Sequence, residues 1–385
     1  MSPHSTLATV LGIAQVCVIL TLLGEVHRRW TGTRRILAWG AIGVFEGAIL
    51  VSYLTSYANR YASKPWGNNH YLFGVASVMY LFTSACVLAV YLLIRPVWRR
   101  LDAATDPGRR NVLSVGGNAL LCAPVAVISY GSLIQRTNFE VREVDVPMQG
   151  LAASLDGLRI LHISDIHLSP FLSEKELARV VDATLGLHPH IAFVTGDLIS
   201  TRRDPLDVCI RQLARLKADA GVFGSMGNHE HFAGVEEATA EMAARVGIRF
   251  LRSQAQPLRF GDSVLNIAGV DYQTFTRRRR YLQGKEHLVA PAAFNLLLSH
   301  NPDVFPFAAR QGYDLVLAGH THGGQINVEI FGESVNPARF YTPYIYGLYR
   351  QGRSAEYVTR GVGTIGAPLR LGAPPEVALL RLRKT

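Results

Sequence analysis

At 385 residues the chain is long enough for two domains, each with its own core. Its 49% hydrophobic content is high for a wholly soluble protein, and its net charge of +10 fits either nucleic acid or a membrane surface as partner. The arginines of the first third cluster between apolar stretches, which is the pattern of membrane topology; no nucleic-acid partner is expected.

Apolar runs at 6–24, 36–57, 71–94 and 112–134 each approach the roughly 20 residues needed to span a bilayer. They predict an all-α membrane domain of four transmembrane helices over residues 1–136. The first run has no basic residue ahead of it and no clear small-residue cleavage site, so it reads as a retained helix rather than a cleaved signal. The first link carries Arg28, Arg29, Arg34 and Arg35, and the third carries Arg95, Arg99, Arg100, Arg109 and Arg110. The second carries only Arg60 and Lys64, beside Trp66. Positive charge marks the cytoplasmic side, so a multi-pass protein of the cell membrane is expected, with everything after residue 134 extracytoplasmic. Glu46 lies inside the second run, where a charge is costly; a protonated or paired helix contact is the preferred reading over a functional acid.

From Asn138 the texture becomes that of an α/β domain, expected over residues 137–385. Phe139, Val141, Val144 and Val146 suit an edge strand. A buried strand is predicted at 158–163, then a helix capped at Ser173 with Glu176 three positions on. Further strands are predicted at 191–194 and 222–226, followed by a helix at 235–245. Residues 258–260 and 263–270 suit a hairpin across Gly261-Asp262, and 294–298 and 315–318 suit two more buried strands.

Each of these buried strands runs into metal-capable residues: Asp165 and His167 after the first, Gly196-Asp197 after the second, and Gly227-Asn228-His229-Glu230 after the third. His300 follows the strand at 294–298, and Gly319-His320-Thr321-His322 follows the last. Donors at the carboxyl ends of successive strands converge on one sheet edge, where open α/β folds place their sites. The set is nitrogen and oxygen without thiolate, and no CxxC pair occurs anywhere. That suits Mn, Fe or Zn type ions in a reactive centre rather than structural zinc.

The series DxH, GD, GNHE, H and GHTH resembles the calcineurin-like metallophosphoesterase superfamily. The segments LDGLRILHISDIHLSP and YVTRGVGTIGAPLRLGAPPEVALLRL resemble its membrane-associated bacterial branch of phosphohydrolases. The resemblance covers residues 138–385 and implies a four-layer αββα sandwich. It also implies two divalent metal ions: Asp165, His167 and His322 on the first, Asn228, His300 and His320 on the second, and Asp197 bridging. His229 would be the catalytic residue that assists the leaving group. Glu230 stands where many relatives have Asp.

The implied activity is hydrolysis of phosphomonoesters, phosphodiesters or pyrophosphates, with a lipid-linked substrate as one option and the lipid bilayer as partner; oligomeric state is not legible. A non-catalytic metal-binding protein and a transporter or channel with an accessory domain are the alternatives. Arg277, Arg278, Arg279 and Arg280 read as a solvated loop, with anionic-group binding as the alternative. His162 reads as structural, His231 as either rim or surface, Asp271 as a turn residue, and Asn301 and Pro302 as shaping the His300 loop. A C-terminal reporter active only in an oxidising compartment is expected to give signal; a silent fusion would reverse the assigned topology.

Overall fold

The computed structural model describes residues 3–59, 77–93 apart from 78 and 82, the single residues 96 and 116, and 123–385 apart from 331–332. Contacts divide the chain into the units Met1–Leu133 and Ile134–Thr385.

In the first unit, helices run over Pro3–Arg29 and Gly32–Asn59. Among the described residues one stretch, Gly32–Ser52, is long and apolar enough to cross a membrane, so the four expected spans are not supported as a set. The run at 6–24 lies on the first helix, where the side chains of residues 1–11 fall outside the description. The runs at 71–94 and 112–134 are described only in part, over 77–93 apart from 78 and 82 and over 116 and 123–134, and the basic residues of the second and third links lie outside the description. On the second helix Ile36, Leu37, Val44, Leu50 and Val51 are exposed, an apolar surface that water penalises and hydrocarbon does not. Glu46 is buried and accepts hydrogen bonds from the Tyr80 hydroxyl at 2.7 Å and from the Gln15 amide. That is the paired helix contact its sequence position suggested.

Among the described residues the second unit holds fourteen strands: β1 (Glu140–Met148), β2 (Arg159–Ile163), β3 (Ile191–Val194), β4 (Val222–Gly224), β5 (Ile248–Phe250), β6 (Gln254–Phe260), β7 (Ser263–Gly269), β8 (Phe294–Leu298), β9 (Leu315–Ala318), β10 (Val328–Ile330), β11 (Glu333–Val335), β12 (Gly347–Gln351), β13 (Ser354–Val358) and β14 (Glu376–Lys384). One six-stranded sheet has the order β1-β14-β2-β3-β4-β5 and the other β12-β13-β9-β8-β7-β6; β10 and β11 pair separately.

The sheets pack face to face. Ile160, Phe193, Phe223 and Leu380 of the first meet Ile267, Leu296, Leu298, Leu315 and Leu317 of the second in one buried cluster. Alternate residues point outward: Leu161, Ile163, Ala192 and Val194 pack with Leu177, Val181, Ile210 and Leu213 of covering helices. On the far side Leu297 and Val316 pack with Phe305 and Ala308 of the helix Phe305–Gln311. This is the αββα sandwich. Covering on both faces is why β3 and β9 are wholly apolar and β2 and β8 are mostly so, with His162 and Asn295 the buried polar interruptions.

Local chemistry agrees with the boundaries. Ser173 and Glu176 form the full capping box of the helix Glu174–Thr184. Gly261 takes φ 56° in the turn that sets Phe260 opposite Ser263. The C-terminal tail supplies three strands that the pattern of residues had not indicated, and β14 inserts between β1 and β2.

Candidate metal centre

The loops after β2, β3, β4, β8 and β9 all open on one end of the sandwich, because β2, β3 and β4 run parallel in one sheet and β8 and β9 run parallel in the other. Asp165, His167, Asp197, His320 and His322 all adopt left-handed backbone, with φ of 52°, 48°, 54°, 74° and 53°. For residues other than glycine this costs on the order of 1–3 kcal/mol each, and it persists only where packing enforces it. Glycines supply the room: a Cβ at Gly319 would overlap the Asp165 carboxylate, and one at Gly227 would overlap that of Asp197.

Three groups of donor atoms result, each with all its atoms within 4.8 Å of one another: Asp165, His167 and His322; His167, Asp197 and His229; and Asp197, His300 and His320. His322 Nε2 lies 3.3 Å from Asp165 Oδ1 and 3.2 Å from His167 Nε2. Asp197 Oδ2 lies 3.4 Å from His167 Nε2 and 3.1 Å from His300 Nε2, so this carboxylate is shared between the groups. Its other oxygen accepts the His229 backbone N–H at 2.8 Å.

The outer edges of the rings are committed elsewhere. His300 Nδ1 donates to the Thr195 carbonyl at 2.6 Å and His229 Nδ1 to the Ser200 carbonyl at 2.6 Å, which turns both Nε2 atoms toward the centre. Asn228 Oδ1 is buried without a hydrogen-bond partner. Such an orphaned atom is expensive, and a divalent cation would satisfy it. The donor set therefore fits metal.

The charges agree. Burial opposes ionisation of Asp197, but the adjacent His300 and His167 outweigh it and hold the carboxyl well below the usual range. Burial likewise opposes charge on His300, yet Asp197 and Asp165 raise it to about 10. Positive charge is thus stabilised where a cation would sit. Burial and then His300 push His320 down to about 3, and burial with His167 and Arg370 holds His322 well below its ordinary value, which favours neutral rings suited to ligation.

The model of the calcineurin-like phosphoesterase family matches residues 158–324, the span holding every one of these residues. An uncharacterised metallophosphoesterase of Aquifex aeolicus is 31% identical over 234 residues, covering 59% of this chain and 85% of that protein. The chain belongs to the calcineurin-like phosphoesterases. As a member it is a phosphoester hydrolase, and its family normally uses divalent metal ions. A metallophosphoesterase of Campylobacter jejuni is 31% identical over 247 residues, 63% of each chain. A zebrafish (Danio rerio) protein named a transmembrane protein with metallophosphoesterase domain is 29% identical over 328 residues, 80% of this chain and 71% of that one.

Other residues of this phosphoesterase hold the loops. Glu230 is buried and accepts from the backbone N–H of Asp197, Leu198 and Gly227, tying the β3 and β4 loops together. His162 is buried against the Thr195 hydroxyl at 2.8 Å, with its pKa lowered to about 3 by burial, which is a structural role. His231 is exposed and pairs with Glu236 at 2.8 Å. Asp271 pairs with Arg252 at 3.0 Å, and Asn301 donates to the Gln273 carbonyl and caps Asp303. Arg278 pairs with Asp303 at 3.4 Å; Arg277, Arg279 and Arg280 are exposed on the same short helix.

One residue of the centre escaped the sequence reading. Arg370 is fully buried, and its guanidinium donates to the carbonyls of His322, Arg360, Gly361, Gly363 and Ala373. Gly361 and Gly363 lie against Asp165 and Ile166, with Gly363 N donating to the Asp165 carbonyl at 2.6 Å. Arg370 thus fastens this segment to the His322 loop, a task that a planar five-donor fork performs and an ammonium does not. Its only outward cue was its place in the quoted C-terminal segment. Arg370→Met is expected to destabilise the protein by at least about 2 kcal/mol through unsatisfied carbonyls. Calorimetric titration should also show weaker divalent-ion binding, with Arg370→Lys recovering only part; a folded Met variant with unchanged ion affinity would contradict this role.

Proposed function

We propose that this chain is a membrane-anchored phosphohydrolase whose catalysis uses two divalent cations. Asp165, His167 and His322 would hold the first, Asn228, His300 and His320 would hold the second, and Asp197 would be shared between them. The observation that carries this reading is the convergence of donors from five loops, with Asp197 common to two groups and with Asn228 Oδ1 otherwise orphaned. The ions are of the Mn, Fe or Zn type by their donors. When bound, such a pair activates water and neutralises charge on the phosphoryl oxygens.

The chain's own groups then have defined tasks. Asp197 accepts the His229 N–H at Oδ1 and presents Oδ2 to His167 and His300, so the orientation of this carboxylate is fixed by backbone. His229 is oriented by Ser200, which leaves Nε2 facing the centre to carry a proton to the departing oxygen. Burial lowers its pKa, while Asp197 and the Ser200 carbonyl favour the protonated ring.

Anchoring is supported by the apolar helix Gly32–Ser52 and by the printed name of the zebrafish relative. The proposed topology is multi-pass, with the catalytic domain extracytoplasmic as the arginine distribution suggests. An anchored enzyme meets its substrate at a bilayer surface, which favours a lipid-linked phosphoester or pyrophosphate.

His229→Ala is expected to retain metal by elemental analysis while losing about 100- to 10,000-fold in kcat on an aryl phosphodiester, the range for a lost general acid. Chelation should abolish activity in the wild-type chain. Turnover by the Ala variant at the wild-type rate would remove His229 from the mechanism.

A further inference from the structure

The two sides of the centre differ in character. Beside Asp165 and His322 the cavity wall is buried backbone: Gly361 and Gly363 sit against Asp165 and Ile166, and Arg370 locks them there. The opposite side, beyond His229 and His320, is aromatic and open to solvent.

Phe232 lies on the helix Asn228–Ala233, one turn beyond Asn228 and His229, and its ring centroid is 6.2 Å from that of His229. Tyr272 follows β7 and places its ring 6.1 Å from Phe232, 5.7 Å from His320 and 6.3 Å from His300. Phe275 stands 5.6 Å from His320. Phe232 is 71% exposed and Phe275 44% exposed. Scattered exposed aromatics are ordinary, but these share one surface that begins at the catalytic histidine. Helix packing does not explain Phe232, which turns away from the core.

We propose that Phe232, Tyr272 and Phe275 form the leaving-group subsite, and that it takes phosphoesters whose leaving group presents an apolar face beside the ester oxygen. The proposal rests on the phosphohydrolase reading above and adds a substrate class to it. His229 delivers its proton to the departing oxygen, so the departing group lies on the His229 side. On that side the first surface it meets is this aromatic wall. An aromatic ring gains stacking on it, and an acyl or alkyl chain gains buried area.

The test uses the metal-loaded full chain and two series of methyl phosphodiesters. In one the phenolic leaving groups match in acidity and grow in apolar area; in the other the leaving groups are straight-chain alcohols of increasing length. For the wild-type chain kcat/KM should rise with apolar area, through KM, by about tenfold or more across a series, as expected for a buried ring's worth of surface. A rise confined to the phenols assigns an aromatic occupant, and a rise with chain length assigns an acyl one. Phe232→Ala and Tyr272→Ala should flatten the slope, and Tyr272→Phe should restore it.

Calorimetric binding of phenylphosphonate against methylphosphonate gives a readout without turnover: the preference for the phenyl compound should shrink in Phe232→Ala. Hydrolysis with no dependence on apolar area, or an equal loss at every leaving group in the variants, would overturn the subsite while leaving the phosphohydrolase intact. Failure of every ester to react and of either phosphonate to bind would instead overturn the phosphohydrolase reading.

Discussion

Asp165 and Asp197 are buried side by side, at 0% and 2% exposure, with His300 closing the gap between them. Two carboxylates taken out of water this close together demand compensating positive charge, because desolvation of an unpaired ion costs several kcal/mol. Everything around them serves that demand. His300, His229 and His167 turn Nε2 inward because the Thr195 and Ser200 carbonyls and the Ser200 hydroxyl hold their Nδ1 atoms, and His300 is driven toward its charged form although it is wholly buried. A divalent metal ion, of the kind the family normally uses, would supply that positive charge in the proton's place.

The scaffold achieves this by accepting local strain. Five of the donor-bearing residues occupy left-handed backbone where side chains are crowded, and glycines at 227 and 319 let neighbouring loops come within contact of the carboxylates. Glu230 and Arg370 then hold the strained loops by their backbones, one with a carboxylate collecting N–H groups and the other with a guanidinium collecting carbonyls. Both are opposite in charge to the groups they gather. Neither needs to touch a reacting atom to decide where the ligands stand.

Much of this was legible in the residues because strands buried on both faces leave mostly apolar runs. β2, β3, β8 and β9 each end where a donor cluster begins, so order along the chain gave the layout of the centre. The hairpin was legible through Gly261, and the helix at Glu174 through its capping box. What stayed hidden depends on contacts distant in sequence. β14 alternates Leu and Arg, as an exposed strand would, yet it inserts between β1 and β2 and buries Ala378, Leu380 and Leu382. Arg370 looks like a surface arginine until the C-terminal segment folds over the Asp165 loop. Apolar runs in the first third established hydrophobic helix, but run length alone overstated the spans that the described residues support.

The account stands on a shared carboxylate holding a pair of ions, and electron paramagnetic resonance of the full chain loaded with Mn(II) tests it most directly. A spin-coupled signal is expected from the wild-type chain, giving way in Asp197→Ala to the hyperfine pattern of isolated ions or to loss of bound metal. A wild-type spectrum of isolated ions alone, at saturating Mn(II), would contradict the bridged pair.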